Sequence, residues 1–137
     1  MDLPLPEYHT SGAVGFDLVA RVTTVIPANS FAIVPNNAIV SIPHGYMLLV
    51  ASRSSTLKKK GLMIGNGVGI IDQDYHGPED ELKTLFFNPS NTDIVVERGE
   101  RWSQAVFVRI DVATFHEEDA SNRATRGGFG TTGERVA

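Results

Sequence analysis

The stretch Phe31-Ala32-Ile33-Val34-Pro35-Asn36-Asn37-Ala38-Ile39-Val40-Ser41-Ile42-Pro43-His44-Gly45-Tyr46-Met47-Leu48-Leu49-Val50 decides the fold. Three apolar runs, Phe31 to Val34, Ala38 to Ile42 and Tyr46 to Val50, are parted by Pro35-Asn36-Asn37 and Pro43-His44-Gly45. Each run suits a strand and is too short for an ordinary helix, and each break is built of residues that turn the chain. The same alternation continues outward through Val22 to Ile26, Val68 to Ile71, Leu82 to Phe87, Ile94 to Val96 and Ala105 to Ile110. Pro27, His76-Gly77-Pro78, Asn88-Pro89 and Arg98-Gly99 punctuate it. Many brief strands with regular turns predict an all-β sandwich or barrel. Helical periodicity is weak, and Ser54 to Leu62 is the best place for one short helix.

With 137 residues the chain can bury one real core, so a single domain over residues 1–137 is expected. Its 42% apolar and 20% charged residues are ordinary for a globular protein and name no function. A net charge of -4 gives no positive field to attract nucleic acid or an anionic membrane, so neither is expected as a partner. The absence of cysteine excludes disulfides, thiolate metal sites and cysteine nucleophiles. The start, Met1-Asp2-Leu3-Pro4-Leu5-Pro6-Glu7-Tyr8, lacks the basic and apolar regions of a signal peptide, and no run reaches membrane-spanning length. A cytoplasmic location is the expectation.

The tail, Arg123-Ala124-Thr125-Arg126-Gly127-Gly128-Phe129-Gly130-Thr131-Thr132-Gly133, is too polar to build a core and needs something to fold onto. Glycine lets backbone N–H groups approach a ligand, arginine and threonine donate to phosphate, and phenylalanine offers a flat face for stacking. Residues from about 119 to 137 therefore read as a flexible arm that closes over a phosphorylated aromatic ligand.

Four upstream segments carry chemistry. Gly65-Asn66-Gly67-Val68-Gly69-Ile70-Ile71-Asp72-Gln73-Asp74-Tyr75-His76-Gly77 is poor for packing and good for bringing a ligand against backbone. Asp72 and Asp74 share a face if the strand continues, and neighbouring carboxylates supply a general base and a charge beside a cation. The same acids also fit a plain strand end capped before Gly77. Ser52-Arg53-Ser54-Ser55-Thr56-Leu57-Lys58-Lys59-Lys60 sets phosphate-gripping donors directly after a strong strand, or is a solvated turn with a lysine run. Gly12-Ala13-Val14-Gly15-Phe16-Asp17-Leu18 reads as a strand-initiating turn capped by Asp17. Gly99-Glu100-Arg101-Trp102-Ser103-Gln104 reads as a turn into a strand, with Gln104 able to donate to an anion.

Other chemistries lack their signatures. The tail has no P-loop pattern and no strand–helix setting for a dinucleotide fingerprint. His9, His44, His76 and His116 are scattered without metal-ligand spacing, and no serine has an identifiable base beside it.

In this order, the segments from Gly12-Ala13-Val14-Gly15-Phe16-Asp17-Leu18 to Gly127-Gly128-Phe129-Gly130-Thr131-Thr132-Gly133 resemble the five motifs of the trimeric deoxyuridine triphosphatases (dUTPases). The resemblance spans nearly the whole chain, with Ile71-Asp72-Gln73-Asp74-Tyr75-His76-Gly77 and Gly127-Gly128-Phe129-Gly130 the most specific parts. It implies a jelly-roll-like β-barrel, a homotrimer with sites shared between subunits, and magnesium-dependent hydrolysis of dUTP to dUMP and pyrophosphate. Asp72 is then the general base for the water attacking the α-phosphorus, and Tyr75 presses on the deoxyribose and excludes a 2′-hydroxyl. Arg53, Ser54 and Gln104 match phosphate-holding positions, with Ser55 beside them. Asp17 matches the acid that orients Mg2+-bound water. Backbone from Asn66 through Gly69 and Ile70 to Ile71 faces the uracil edge, and Phe129, followed by Gly130 and Thr131, stacks over the base when the arm closes.

Several letters depart from the family pattern. Ala124 stands where an arginine is usual, flanked by Arg123 and Arg126; either is placed to reach the γ-phosphate, and Arg126, abutting the glycines, is preferred. Trp102, Ser52 and Ser55 replace a usual aliphatic residue, proline and glycine, which bears on local packing. A related enzyme of the same fold, dCTP deaminase, carries a catalytic glutamate where Leu85 precedes Phe86-Phe87-Asn88 here, so deamination is not expected. A dUTPase-like trimer that senses nucleotide and controls a protein partner would retain every motif.

Overall fold

The computed structural model describes residues 2–118 and 124–136. In chain order they form β1 (Gly15–Leu18), β2 (Thr24–Ile26), β3 (Ser30–Pro35), β4 (Tyr46–Ser52), a π-helical turn (Thr56–Lys60), β5 (Met63–Ile64), β6 (Gly69–Ile71), β7 (Lys83–Asn88), β8 (Ile94–Val96) and β9 (Ser103–Arg109). The ladders are antiparallel and make three open sheets, ordered β1-β9-β4-β6, β2-β8 and β3-β7-β5. The all-β, jelly-roll-like expectation therefore holds as packed open sheets rather than as a closed cylinder. One short helical turn falls inside the Ser54 to Leu62 window. No helix among the described residues is long and apolar enough to cross a membrane.

Side chains alternate across each strand, so each sheet gives one face to the core. Phe16, Leu18, Leu48, Val50 and Ala105 point inward from the four-stranded sheet; Val34, Ile64 and Phe86 do so from the three-stranded one. Ile26 and Val96 seal the end formed by β2 and β8. A buried polar link joins the two larger sheets: Thr84 Oγ1 donates to Asn36 Oδ1 at 2.7 Å, so its 2.8 Å contact with Ser103 Oγ requires Ser103 to donate. Asn88 closes the loop to β8 by donating to the Ile26 and Thr92 carbonyls.

Two departures from the strand pattern have physical causes. The run Ala38 to Ile42 buries Ala38 and Ile42 yet joins no sheet. Asn37 enters it at a φ of 57°, Pro43 closes it, and its ladder-like contact is the single bond from Leu82 N–H to the Ala38 carbonyl. β5 is only 2 residues long, too short for any period to register, and forms because Met63 and Ile64 pair with Phe87 and Phe86.

Arg21 and Glu81 pin the segment after β1 to the segment before β7. The guanidinium donates to both Glu81 oxygens at 2.8 and 2.9 Å, and the Asn37 N–H donates at 2.8 Å. Burial pushes the Glu81 carboxyl up, but the Arg21 and Asn37 donors outweigh it and hold the group below its usual value of 4.5. A depressed folded value means a stability contribution present above the unfolded value and lost as pH falls through the folded one. Glu81→Gln is expected to lower stability by about 2 kcal/mol at neutral pH. In urea titrations at fixed protein concentration, the gap from the parent protein should close as pH drops below 4.5. A gap that stays constant down to acid pH would remove the carboxylate as its source.

Candidate active site

The outer face of the four-stranded sheet carries the first cluster. On β1 and β9, Asp17 and Gln104 are directly opposed, so their side chains emerge together, with Ala51 of β4 opposite Gln104 on the other side. Gly15 makes room for this: a Cβ there would come within 2.8 Å of Gln104 Oε1. Gln104 Nε2 donates to the Ser52 carbonyl at 3.1 Å. Arg53, just past β4, places Nε 3.0 Å from Asp17 Oδ1 and donates from Nη1 to the Arg101 carbonyl at 2.8 Å. The guanidinium is thus fixed from two sides and has further N–H donors to offer. Ser54 is exposed beside it and Ser55 half-buried.

Two residues to which the sequence assigns no role complete this cluster. Arg101 Nη1 lies 3.4 Å from Asp17 Oδ2, and His9 Nε2 lies 3.3 Å from the same oxygen and 2.8 Å from Arg101 Nη1. The side chain of Asp17 is 12% exposed and ringed by Arg53, Arg101 and His9. His9 gives no local signal, because the segment between it and Asp17 folds back only in three dimensions.

The second cluster lies at the opposite edge of the same sheet. β6 follows a turn through Asn66 and Gly67, the latter at a φ of 77°, and has a strand beside it on one edge only. Ile70 is 66% exposed on the outer face, and a Cβ on Gly69 would press on Val50 Cβ at 3.1 Å. Packing as well as ligand approach therefore favours glycine there; at Gly65 a Cβ would overlap Leu85 of β7. The strand stops at Ile71, so Asp72 and Asp74 do not alternate along a strand; both are exposed in a turn in which Tyr75 N–H donates to the Asp72 carbonyl at 3.2 Å. Gln73 Nε2 anchors this turn to the Tyr46 carbonyl at 3.0 Å. Tyr75 packs its ring on the core and donates its hydroxyl to the Glu81 carbonyl at 3.2 Å, which fixes the ring.

Strand order separates Asp17 from the Asp72 turn, and register separates Arg53 from it: Arg53 follows Ser52 at one end of β4, whereas Asp72 follows Ile71, which pairs with Leu48 toward the other. β1 and β6 are the two edges, three strand spacings apart, or about 14 Å. Asp17, Arg53 and Gln104 come together in one chain, whereas Asp72 and Tyr75 stand apart from them. The arm is a third separate part. Arg126, Phe129, Gly130 and Thr131 are exposed, and among the described residues the arm's hydrogen bonds are internal, such as Thr131 N–H to the Gly128 carbonyl. Phe129 is held at a φ of 49° with its ring in solvent. Arg123 lies outside the described residues. Leu85, at the position of the deaminase glutamate, is half-buried and apolar against Gly65.

The scaffold is all-β, with Asp17, Gln104 and Arg53 gathered on one sheet face and the Asp72–Tyr75 turn following the edge strand β6. The family model for dUTPase matches residues 2–133, and the chain belongs to that family. Deoxyuridine 5'-triphosphate nucleotidohydrolase of Chlamydia trachomatis is 37% identical over 136 residues, covering 95% of this chain and 91% of its own. Among solved structures, the Streptococcus mutans dUTPase is 33% identical with a TM-score of 0.76, covering 81% of this chain and 89% of that one. The Staphylococcus bacteriophage 80alpha dUTPase, solved with dUPNHPP, is 25% identical with a TM-score of 0.82, covering 95% and 92%.

Proposed function

We propose that this protein hydrolyses dUTP to dUMP and pyrophosphate, limiting uracil incorporation into DNA and supplying dUMP for thymidylate synthesis. The observation that carries the reading is the Asp72–Tyr75 turn at the open edge of β6, in a chain that belongs to the dUTPase family. Asp72 takes the proton of a water attacking the α-phosphorus; the bond from that phosphorus to the bridging oxygen breaks, and its electron pair leaves on pyrophosphate. Arg53, Ser54 and Gln104 hold the phosphates and neutralise charge as it moves toward the leaving group. Tyr75, immobilised by the Glu81 carbonyl, walls off the sugar at its 2′ carbon.

Backbone groups along Asn66, Gly69 and Ile70 read the uracil edge. Cytosine presents a donor where an acceptor is needed, and each mispaired polar group costs about 1–3 kcal/mol. Phe129 stacks on the base when the arm closes, while Arg126, or Arg123, meets the γ-phosphate and Gly130 and Thr131 bring donors against the chain of phosphates.

Magnesium fits as a partner of the substrate rather than of a protein cage. Among the described residues no group of three or more carboxylate or imidazole ligands exists. Asp17 already faces Arg53, Arg101 and His9, which leaves it suited to accept from a metal-bound water rather than to coordinate directly. When bound, the ion supplies charge neutralisation on the triphosphate.

A homotrimer explains why the parts stand apart: the phosphate cluster of one subunit, the Asp72 turn of a second and the arm of another meet at a subunit boundary. The outer face of the β3-β7-β5 sheet supports this, since Phe31, Ile33 and Met63 are exposed there beside Leu85 and Phe87. Location in the cytoplasm is in keeping with this role.

The test is incubation of purified protein with dUTP, dCTP, dTTP and UTP plus Mg2+, following pyrophosphate and ammonia. Pyrophosphate is expected from dUTP at least about 100-fold faster than from the others, with no ammonia from dCTP. A dUTP reaction that releases no pyrophosphate would sink the reading.

A further inference from the structure

The turn between β8 and β9 holds a cluster that lies behind the phosphate-binding residues rather than among them. Glu100 folds its carboxylate back over the turn and is met there by several donors. Lys60 Nζ donates at 3.0 and 2.7 Å, Trp102 Nε1 at 2.9 Å and the Glu97 N–H at 3.0 Å. Lys60 Nζ also sits 5.4 Å from the centre of the Trp102 ring, in cation–π range. Burial raises the Glu100 carboxyl, but Lys60, the indole N–H and the Glu97 amide together hold it below the ordinary range. The group is thus a charged, fully engaged clasp.

What the clasp holds is the backbone of Arg101 and Trp102. The Trp102 carbonyl accepts from Thr56 Oγ1 at 2.7 Å, and the same hydroxyl oxygen accepts from the Arg53 N–H at 3.0 Å. Thr56 is fully buried, so this pairing is shielded from water. The Arg101 carbonyl accepts from Arg53 Nη1 at 2.8 Å. Both ends of Arg53 therefore rest on consecutive carbonyls, one directly and one through the Thr56 hydroxyl. Thr56 opens the helical turn that Lys60 closes, and Lys60 returns to Glu100 and Trp102. The contacts form a closed ring: Arg53, Thr56, Lys60, Glu100, Trp102 and back to Arg53.

The geometry points to Lys60, Glu100 and Trp102 as positioning residues that preset the Arg53 guanidinium for the leaving pyrophosphate. Their polar side-chain contacts run to one another and to the Glu97 amide, away from Asp17, the β6 edge and the Asp72 turn, so the ring acts on the phosphate half of the site alone. An arginine whose guanidinium is held by one carbonyl and one carboxylate, and whose main-chain N–H is tied through the Thr56 hydroxyl to the next carbonyl, keeps its remaining N–H groups aimed without ordering them anew for each substrate, and errors of about 1 Å in such aim are felt in rate. Trp102 is the departure from the family pattern in this stretch, and the ring accounts for it, since its indole N–H and its ring face tie Glu100 and Lys60 together.

The inference rests on the proposed dUTPase reading, and its test separates the two. Pyrophosphate and dUMP binding are measured by calorimetry in the presence of Mg2+ for the parent protein and for Glu100→Gln, Lys60→Met, Lys60→Arg and Trp102→Phe. Circular dichroism and size-exclusion elution check that each is folded. Glu100→Gln and Lys60→Met are expected to weaken pyrophosphate binding about 10-fold and leave dUMP binding within about 2-fold, because dUMP is held mainly through its base and sugar at the β6 edge and Tyr75. Lys60→Arg, which keeps the charge and the cation–π contact, should recover most of that loss, and Trp102→Phe should fall between. With dUTP, KM should rise in the same order. Folded variants that bind pyrophosphate like the parent, or lose dUMP equally, would overturn the ring as a positioning device. A parent protein that fails to hydrolyse dUTP would count against the function reading, while pyrophosphate binding would still decide the ring.

Discussion

Asp72→Asn is expected to lower kcat for dUTP by about 10³-fold while leaving the affinity for a non-hydrolysable dUTP analogue close to that of the parent protein. Asparagine has nearly the same shape and keeps the turn, because what Asp72 contributes locally is its main-chain carbonyl, which accepts from the Tyr75 N–H. Its carboxylate is exposed and accepts no hydrogen bond among the described residues, so neutralising it removes a base without leaving a buried donor unpaired. The asymmetry between binding and turnover is the diagnostic feature. Loss of both together would point to a structural acid, and retained turnover would remove Asp72 as the base. Asp74, equally exposed in the same turn, is the internal comparison: Asp74→Asn should have a much smaller effect on kcat.

Chains cut after Glu118 are expected to lose about 100-fold in kcat/KM, because the arm proposed to exclude water and meet the γ-phosphate is gone. The informative experiment combines them with the first variant. Full-length Asp72→Asn supplies intact arms and no base; the truncated chain supplies the base and no arm. Each is expected to be nearly inactive alone. Denatured together and refolded, they should recover measurable dUTP hydrolysis if one site takes its arm and its Asp72 from different chains. The geometry behind this is the exposed Phe129, the internal bonding of the arm and the breadth of sheet between Asp17 and the Asp72 turn. A refolded mixture as inactive as its components, with mixed trimers shown by size and mass, would mean that each chain supplies both parts to a single site.

Legibility in the sequence followed the range of the interaction. The runs Phe31 to Val34 and Tyr46 to Val50 lie within β3 and β4, because alternation and flanking turns are local properties. β1 is hard to see as a strand since Gly15 and Asp17 dilute its pattern; it forms because Phe16 and Leu18 bury against β9, and because Gly15 clears space for Gln104. Asp72, Tyr75 and Arg53 were legible as candidates through their neighbours. His9, Lys60 and Glu100 were not, because Lys60 meets Glu100 across 40 positions and His9 meets Arg101 across 92.

By itself the sequence determined the all-β character, the turn positions and the identity of the residues able to hold phosphate, take a proton and stack on a base. Those are set by side-chain chemistry and by periods of a few residues. Only the tertiary structure decided that Asp17 stands opposite Gln104, that the Arg53 guanidinium rests on the Arg101 carbonyl of the β8–β9 turn, and that Asp72 lies exposed at the far edge of the same sheet. The reason is that strand neighbours are chosen by where apolar faces find one another, and hydrogen bonding between strands carries no record of sequence distance. A motif states which groups are present; the ladder of antiparallel pairs states which of them can act on the same phosphate.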